Sequence, residues 1–393
     1  MGSIYVDCNA TVPVSAAHLS EMGELIAKSD GNPSSIHREG RNAKVALENA
    51  RAQVAGLIGA RAQDVFFTSG ATESNNIVIQ GIVGQNKSGK RPHVIITAAE
   101  HSSVIEPGMI LKDRGECELD IAPVTREGGV NTPALLDLIT PNTALVCLIQ
   151  VNNETGAINA VEQIADLIKG KSSGTHIHVD AVQALGKIPL QSLAASKVDS
   201  IALSGHKVGA FKGVGALFVK SGIKLRKLAM GGGQERARRP GTENMPGILS
   251  FGLRARDLAA SDLPDAKLRP LQDLLVSELL NIKGMVIHGV PAAGVANTVN
   301  FHVEDVPGDD ILLNFDLAGI SASSGSACSS GVGRPSHVLK AMGYSDWVAL
   351  NSVRISMGAR GCIGDVHQII EILKETISRV QSSDAGNVRE PSA

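Results

Sequence analysis

What this chain lacks closes off several classes of function. It has no Cys-x-x-Cys spacing: the five cysteines, Cys8, Cys117, Cys147, Cys328 and Cys362, are odd in number and scattered, so zinc, cluster and dithiol redox work lack their usual ligand pattern. Scattered single thiols also suit a reducing compartment better than a disulfide framework. No apolar run reaches the ~18 residues of a membrane span. The start, Met1-Gly2-Ser3-Ile4-Tyr5-Val6-Asp7, has neither a basic region nor a long hydrophobic one, so a cytoplasmic location and no membrane contact are expected. Charge is nearly balanced, with a formal net of -2, which gives no electrostatic reason to expect nucleic acid. There is no internal repeat and no low-complexity tract.

What is present reads as a soluble globular protein, 43% apolar and 19% charged. A chain of 393 residues exceeds the roughly 250–300 at which single cores stop growing and suits two domains. From about residue 40 to 220, strand-like runs (65–67, 94–97, 145–151, 177–179, 200–203 and 216–219) alternate with helix-period segments, which implies a mostly parallel sheet covered by helices. The helix signal is clearest at Ala46, Ala50, Val54, Leu57 and Ile58, which share a face. After Gly252 the pattern changes to that of a smaller α+β unit. The expected division is an N-terminal segment 1–13 packing with the small domain, a large domain 14–255, a small domain 256–381 and a polar tail 382–393.

Two residues stand out at predicted strand ends: Asp180 in His178-Val179-Asp180-Ala181-Val182-Gln183, and Lys207 in Ser204-Gly205-His206-Lys207-Val208-Gly209. Pyridoxal phosphate needs an amine to condense with its aldehyde and a carboxylate to keep its ring nitrogen protonated. Taken singly, most lysines are solvated surface charges. Gly205 and Gly209 around the lysine, and the turn Lys212-Gly213-Val214-Gly215 after it, argue for a built site.

Other motifs carry weaker signals. Thr68-Ser69-Gly70-Ala71-Thr72-Glu73 is a strand, a small-residue turn and a helix start, where N–H groups and hydroxyls suit a phosphate. An ordinary capped helix is the plain alternative. His101, after the strand 94–97, is placed to stack on an aromatic ring and move protons, or serves structure alone. His176 and His178 share a face of one strand, but no further ligands complete a metal set. Asn152-Asn153-Glu154 either binds a polar ligand or caps a turn. Arg354 in Ser352-Val353-Arg354-Ile355-Ser356 suits a carboxylate through its planar fork, or is a structural arginine. In the run Ser321 to Gly333, glycine, serine and alanine surround one thiol, Cys328, which reads as an exposed nucleophile on a mobile loop. The other four cysteines lie in stretches that read as strand or turn packing.

Together these segments resemble the cysteine desulfurases, pyridoxal-phosphate enzymes of the class V aminotransferase superfamily. The likeness runs from Asp7-Cys8-Asn9-Ala10-Thr11 through Gly31-Asn32-Pro33, the turn at Thr72, Glu100-His101, Asn152-Asn153-Glu154, Asp180 to Gln183, Ser204 to Lys207, Gly241-Thr242-Glu243-Asn244 and the Cys328 loop to Arg354. It implies an α/β, fold-type I transferase whose large domain holds a mainly parallel seven-stranded sheet, beside a smaller α+β domain. It implies that Lys207 bonds pyridoxal 5'-phosphate, Asp180 pairs with the ring nitrogen, Gln183 meets the ring hydroxyl, and His101 stacks and shuttles protons. Ala71, Thr72, Ser204 and His206 would hold the phosphate, with Thr242 reaching across a homodimer. Asn153 and Arg354 would bind the carboxylate of L-cysteine, and Cys328 would take its sulfur as a persulfide. The serine-rich loop resembles the group that passes sulfur to a scaffold or thiolation enzyme, for iron-sulfur cluster assembly or transfer-RNA thiolation. No resident metal is implied; Cys328 would at most hold a nascent cluster in passing.

The chain departs from the family pattern at Cys8, at Val208-Gly209-Ala210-Phe211 and at Pro240, without losing a chemical group. Selenocysteine cleavage, a plain aminotransferase and a silent sulfur-transfer scaffold are the alternative readings.

Overall fold

The computed structural model of the chain describes residues 3–85, 90–325 and 333–386. A short strand, β1 (Ile4–Tyr5), precedes the strands of the main sheet: β2 (Val65–Thr68), β3 (His93–Thr97), β4 (Glu118–Ala122), β5 (Thr143–Ile149), β6 (His176–Asp180), β7 (Ser200–Ser204) and β8 (Gly215–Val219). Across this seven-stranded sheet the order is β2-β8-β7-β6-β5-β3-β4. β7, β6, β5, β3 and β4 run parallel, and β8 is antiparallel to both β2 and β7. Two reversals through β8 bring β2 back into line with β7. The carboxyl ends of β2, β3, β5, β6 and β7 therefore share one edge, where ligands of open α/β sheets bind.

The six expected strands are present, with ends shifted by at most two residues. Their continuous apolar character has a direct cause: β6, β7 and β8 are buried along their whole length, because helices cover both faces. β4 was not among the expected strands. It is the outer strand, with Glu118, Asp120 and Ile121 exposed, so its apolar signal is interrupted. The helix Arg38–Leu57 buries Ala43, Leu47, Ala50 and Val54, while Ala46 is only half-buried. It packs on the helix Met245–Ala260 at Gly252, where a Cβ would lie 2.5 Å from that of Ala50.

A second core gathers Leu275, Phe301, Phe315, Ile355 and Leu373. It is built on β9 (Met285–Ile287), β10 (Thr298–Val303), β11 (Ile320–Ser321), β12 (Ser323–Ser324) and β13 (Val353–Ser356). Four of these form an antiparallel sheet in the order β12-β13-β10-β9, while β11 pairs in parallel with β1. The helices Asp265–Leu280, Gly308–Leu317 and Ile363–Gly386 cover it.

The N-terminal segment stitches the two units together. Asp7 bridges Ser356, and the Val12 N–H donates to the carbonyl of His206 at 3.0 Å. The helix Met245–Ala260 runs past the expected division at 255/256; Ala255 and Leu258 both pack in the first core. The last helix likewise continues into the expected tail, to Gly386. Among the described residues no helix is long and apolar enough to cross a membrane.

Candidate active site

A cavity of about 590 Å3 opens at the carboxyl edge of the main sheet. Ten residues singled out in the sequence line it: Ala71, Thr72, His101, Asn153, Asp180, Gln183, Ser204, His206, Lys207 and Arg354. Strand ends deliver most of them. Asp180 is the last residue of β6 rather than the first beyond it, and Ser204 is the last of β7. Lys207 follows β7 on a single 3-10 turn, Gly205–Val208, closed by Gly209 at a φ of 85° that favours glycine.

The Lys207 Nζ donates to the carbonyls of Asn9 and Ala10 at 2.7 and 2.8 Å. Asp180 is buried; its Oδ1 accepts the Val182 N–H at 3.0 Å and its Oδ2 accepts the Asn75 amide at 3.0 Å. His101 caps the helix Ser102–Asp113, its Nδ1 accepting the Ser103 N–H. Burial, reinforced by Lys207 and Lys212, lowers the His206 pKa to about 4, so this imidazole is neutral at physiological pH.

Ala71 and Thr72 begin the helix Ala71–Val83, whose first-turn N–H groups face the same cavity. β8 presses close here: a Cβ on Gly215 would meet the Gly70 backbone at 2.6 Å, so only glycine fits.

Arg354, on β13, enters from the second unit. Its Nη1 donates to the Asn153 carbonyl at 3.0 Å and its Nη2 to Asp7 Oδ1 at 2.7 Å. Its Nε is buried and has no partner among the described residues.

The structure does not bring Thr242 into this cavity. Thr242 lines a separate one of about 440 Å3 together with Gly31, Asn32 and Pro33. Its neighbour Arg239 pairs with Glu73 at 3.0 Å, which ties that segment to the start of the helix Ala71–Val83. Cys328 lies outside the described residues. Of the other cysteines, Cys8, Cys117 and Cys147 are buried, but Cys362 is exposed, just before the last helix.

Sequence reasoning gave no role to several residues that hold the site. Asn9 is a hub: its side chain bonds the Asn153 carbonyl, Thr298, Asn297 and Lys187. Its carbonyl receives Gln183 as well as Lys207. Lys187 also bonds Gln183 Oε1, and burial beside Lys207 lowers its pKa to about 7. Its only sequence signal is its place one turn beyond Gln183.

Two carboxyls nearby are fully buried. Burial raises Glu100 to about 8, with the charge of Asp180 adding to the effect. Burial likewise raises Glu154 to about 7, against the Ser336 hydroxyl that bonds it.

Residues 4–369 match the model of the class-V aminotransferase family. The chain belongs to that family. It is 38% identical over 384 residues to cysteine desulfurase 2 of Trichormus variabilis, covering 97% of this chain and 95% of the relative. Among solved structures, a NifS-like protein superposes with a TM-score of 0.88 at 33% identity, covering 96% of this chain and all of that one. SspA in complex with cysteine superposes at 0.79 with 29% identity, covering 90% and 99%.

Members of the family depend on pyridoxal phosphate, and the residues here fit that group. An amine, a buried carboxylate and the start of the helix Ala71–Val83 line one cavity, and Gly215 lets β8 approach the Gly70 backbone beside it.

Proposed function

We propose that this enzyme is a pyridoxal-phosphate-dependent cysteine desulfurase that converts L-cysteine to L-alanine and keeps the sulfur as a persulfide on Cys328. The observation that carries the reading is the meeting of Lys207, Asp180 and Arg354 in one cavity: a cofactor anchor, a ring-nitrogen partner and a carboxylate anchor.

Lys207 would hold the cofactor, with Asp180 at its ring nitrogen, Gln183 at its ring hydroxyl, and Ala71, Thr72, Ser204 and His206 around its phosphate. Bound there, pyridoxal phosphate supplies an electron sink for the substrate's Cα. Arg354 and Asn153 orient the substrate carboxylate, the Nε of Arg354 having no partner among the described residues. His101 moves protons at the cavity wall. The Cys328 thiolate attacks the substrate sulfur; the C–S bond breaks as the S–S bond forms, and the electron pair left on carbon takes up a proton to give alanine.

The sulfur then passes to an acceptor protein, for iron-sulfur cluster assembly or thiolation, in the cytoplasm, where the Cys328 thiol stays reduced. The working unit is a homodimer in which Thr242 of one copy reaches the phosphate of the other. Its place in a separate cavity of its own chain supports this.

Mass spectrometry after exposure to cysteine tests the reading. One added sulfur on the Cys328 peptide, with alanine released and no oxoacid required, is the expected result. Dependence on an oxoacid acceptor, or alanine without persulfide, overturns it.

A further inference from the structure

Asp180 stands at the end of a string of buried polar side chains that runs back along β6. His176, His178 and Asp180 alternate on that strand and so share one face. His176 Nε2 lies 2.7 Å from Ser200 Oγ, and Ser200 Oγ lies 2.8 Å from His178 Nδ1. His178 Nε2 lies 2.9 Å from the Asn75 side-chain carbonyl. The Asn75 amide nitrogen then reaches both Asp180 Oδ2, at 3.0 Å, and Ser103 Oγ, at 2.9 Å. Ser103 Oγ in turn lies 2.8 Å from His101 Nδ1. Asn75, His178 and Ser200 are completely buried.

The hydrogens of this string can be placed from donor chemistry. A carboxylate only accepts, so Asn75 turns its NH2 toward Asp180 and its carbonyl toward His178. His178 Nε2 must then carry a proton, which leaves its Nδ1 to accept from the Ser200 hydroxyl. Ser200, having donated its single hydrogen, accepts from His176 Nε2–H. On the other branch Ser103 Oγ accepts from Asn75 and donates to His101 Nδ1. The Ser103 backbone N–H points at the same nitrogen, 3.1 Å away, and cannot reverse. The proton of neutral His101 therefore sits on Nε2. Burial drives both His176 and His178 down to about 3, so neither ring charges and the order holds across physiological pH.

A string of this kind is costly in a sheet interior. Each buried polar group that loses its partner costs about 1–3 kcal/mol, and aliphatic residues would fill the same space at no such risk. Its arrangement makes sense at its far end, where both branches stop at residues of the cavity.

We propose that Asn75 and His178 are positioning residues of this site: they hold Asp180 as an oriented acceptor for a ring nitrogen, in the same network that fixes His101 as the Nε2–H tautomer. The proposal rests on the functional reading above and adds to it. The charged and titratable groups facing Asp180 and His101 from neighbouring elements include Glu100, Cys147, Glu154 and His337.

The test has two arms. In the first, nitrogen-15 NMR of histidine-labelled, cofactor-free wild type reads the tautomers directly. Protonated Nε2 and unprotonated Nδ1 at both His101 and His178 are expected; Nδ1–H at either ring overturns the order. In the second, the visible band of the cofactor-loaded protein is titrated with pH. His178→Leu should shift the ionisation of the lysine–cofactor link upward, because Asp180 loses an oriented donor and stabilises ring-nitrogen charge less well. It should also lower kcat about ten-fold, the worth of one hydrogen bond to a charged group, with KM little changed. His178→Gln, which still donates to Asn75 and accepts from Ser200, should restore both. An unshifted titration in folded His178→Leu, or no rescue by His178→Gln, defeats the proposal while leaving the desulfurase reading intact. Wild type that fails to bind pyridoxal phosphate or to release alanine from cysteine defeats the reading itself.

Discussion

Arg354 and Asp7 form an ion pair of 2.7 Å beside the cavity, joining β13 of the second unit to the segment that leads into Asn9. The arginine is almost wholly buried, so its fork is held in one orientation by Asp7 and by the Asn153 carbonyl before substrate arrives. That preorganisation depends on a planar group with several fixed donors, which a lysine does not provide.

Arg354→Lys is therefore expected to raise KM for cysteine by about ten-fold or more, the equivalent of one lost charged hydrogen bond. Cofactor content should stay at the wild-type level. Steady-state kinetics checks the first point and the visible spectrum the second; an unchanged KM would remove Arg354 from carboxylate binding.

Lys207→Ala should abolish the covalent cofactor link and all turnover, because Lys207 is the amine carried on the turn directly after β7. Thr242→Ala should weaken the phosphate grip. If Thr242 acts across a dimer, mixing the two impaired variants under exchange places both defects in one site and leaves the other intact. Random exchange then makes roughly a quarter of all sites functional. No recovery despite demonstrated exchange assigns Thr242 to its own chain or to no site.

Cys328→Ser keeps the size of the side chain and removes the soft nucleophile. Cysteine should still perturb the visible band, while persulfide and alanine fall to background. Cys362→Ser, at an exposed position, should leave turnover unchanged. Alanine and sulfide release at the wild-type rate from Cys328→Ser would make the chain a lyase that expels sulfur without capture.

Glu100 gives a pH signature. Its carboxyl keeps its proton up to about pH 8 in the fold, against 4.5 ordinarily, so between those values the folded chain binds a proton that the unfolded chain has released. The stability this confers is complete below about pH 4.5 and is lost as pH rises toward 8. Glu100→Gln mimics the neutral acid and should flatten that decline. Melting temperatures of both proteins across the window should diverge in favour of the variant as pH rises; parallel curves would show that Glu100 does not titrate there.

Glu235 is buried against Arg51 at 2.6 Å and also accepts the Phe67 N–H, while Glu235, Arg236 and Ala237 all adopt positive φ. Glu235→Ala leaves the buried guanidinium without this partner, a loss of roughly 3–5 kcal/mol. A melting temperature unchanged from wild type would contradict that cost.

The parts of this site that were legible in the sequence are those whose signal is local. Asp180 ends an apolar strand and Lys207 follows another, Ala71 and Thr72 open a helix after a small-residue turn, and Arg354 alternates within a short strand. The outer strand β4 was not legible, because solvent on its flank breaks the apolar run. Neither was the role of Asn9, whose partners Asn153, Lys187 and Asn297 lie far along the chain. Asn75 looked like any polar residue of a helix start, since its partner Asp180 belongs to a strand formed much later in the sequence. Periodicity reports which face of an element is buried; it does not report what a polar side chain finds there.

The stitch made by residues 4–13 also sets the order in which the molecule can be completed. Ile4 pairs with Ile320, Asp7 with Arg354, and Asn9 with Ser356, so residues 4–9 wait for partners made up to 347 residues later. At roughly 5–20 residues per second that wait is on the order of twenty to seventy seconds. Through it the main sheet can form, yet the Lys207 amine has no settled Asn9 and Ala10 carbonyls to meet. The cavity is thus finished only once β13 has been made, and a truncated product ending before β13 would carry Lys207 and Asp180 without Arg354.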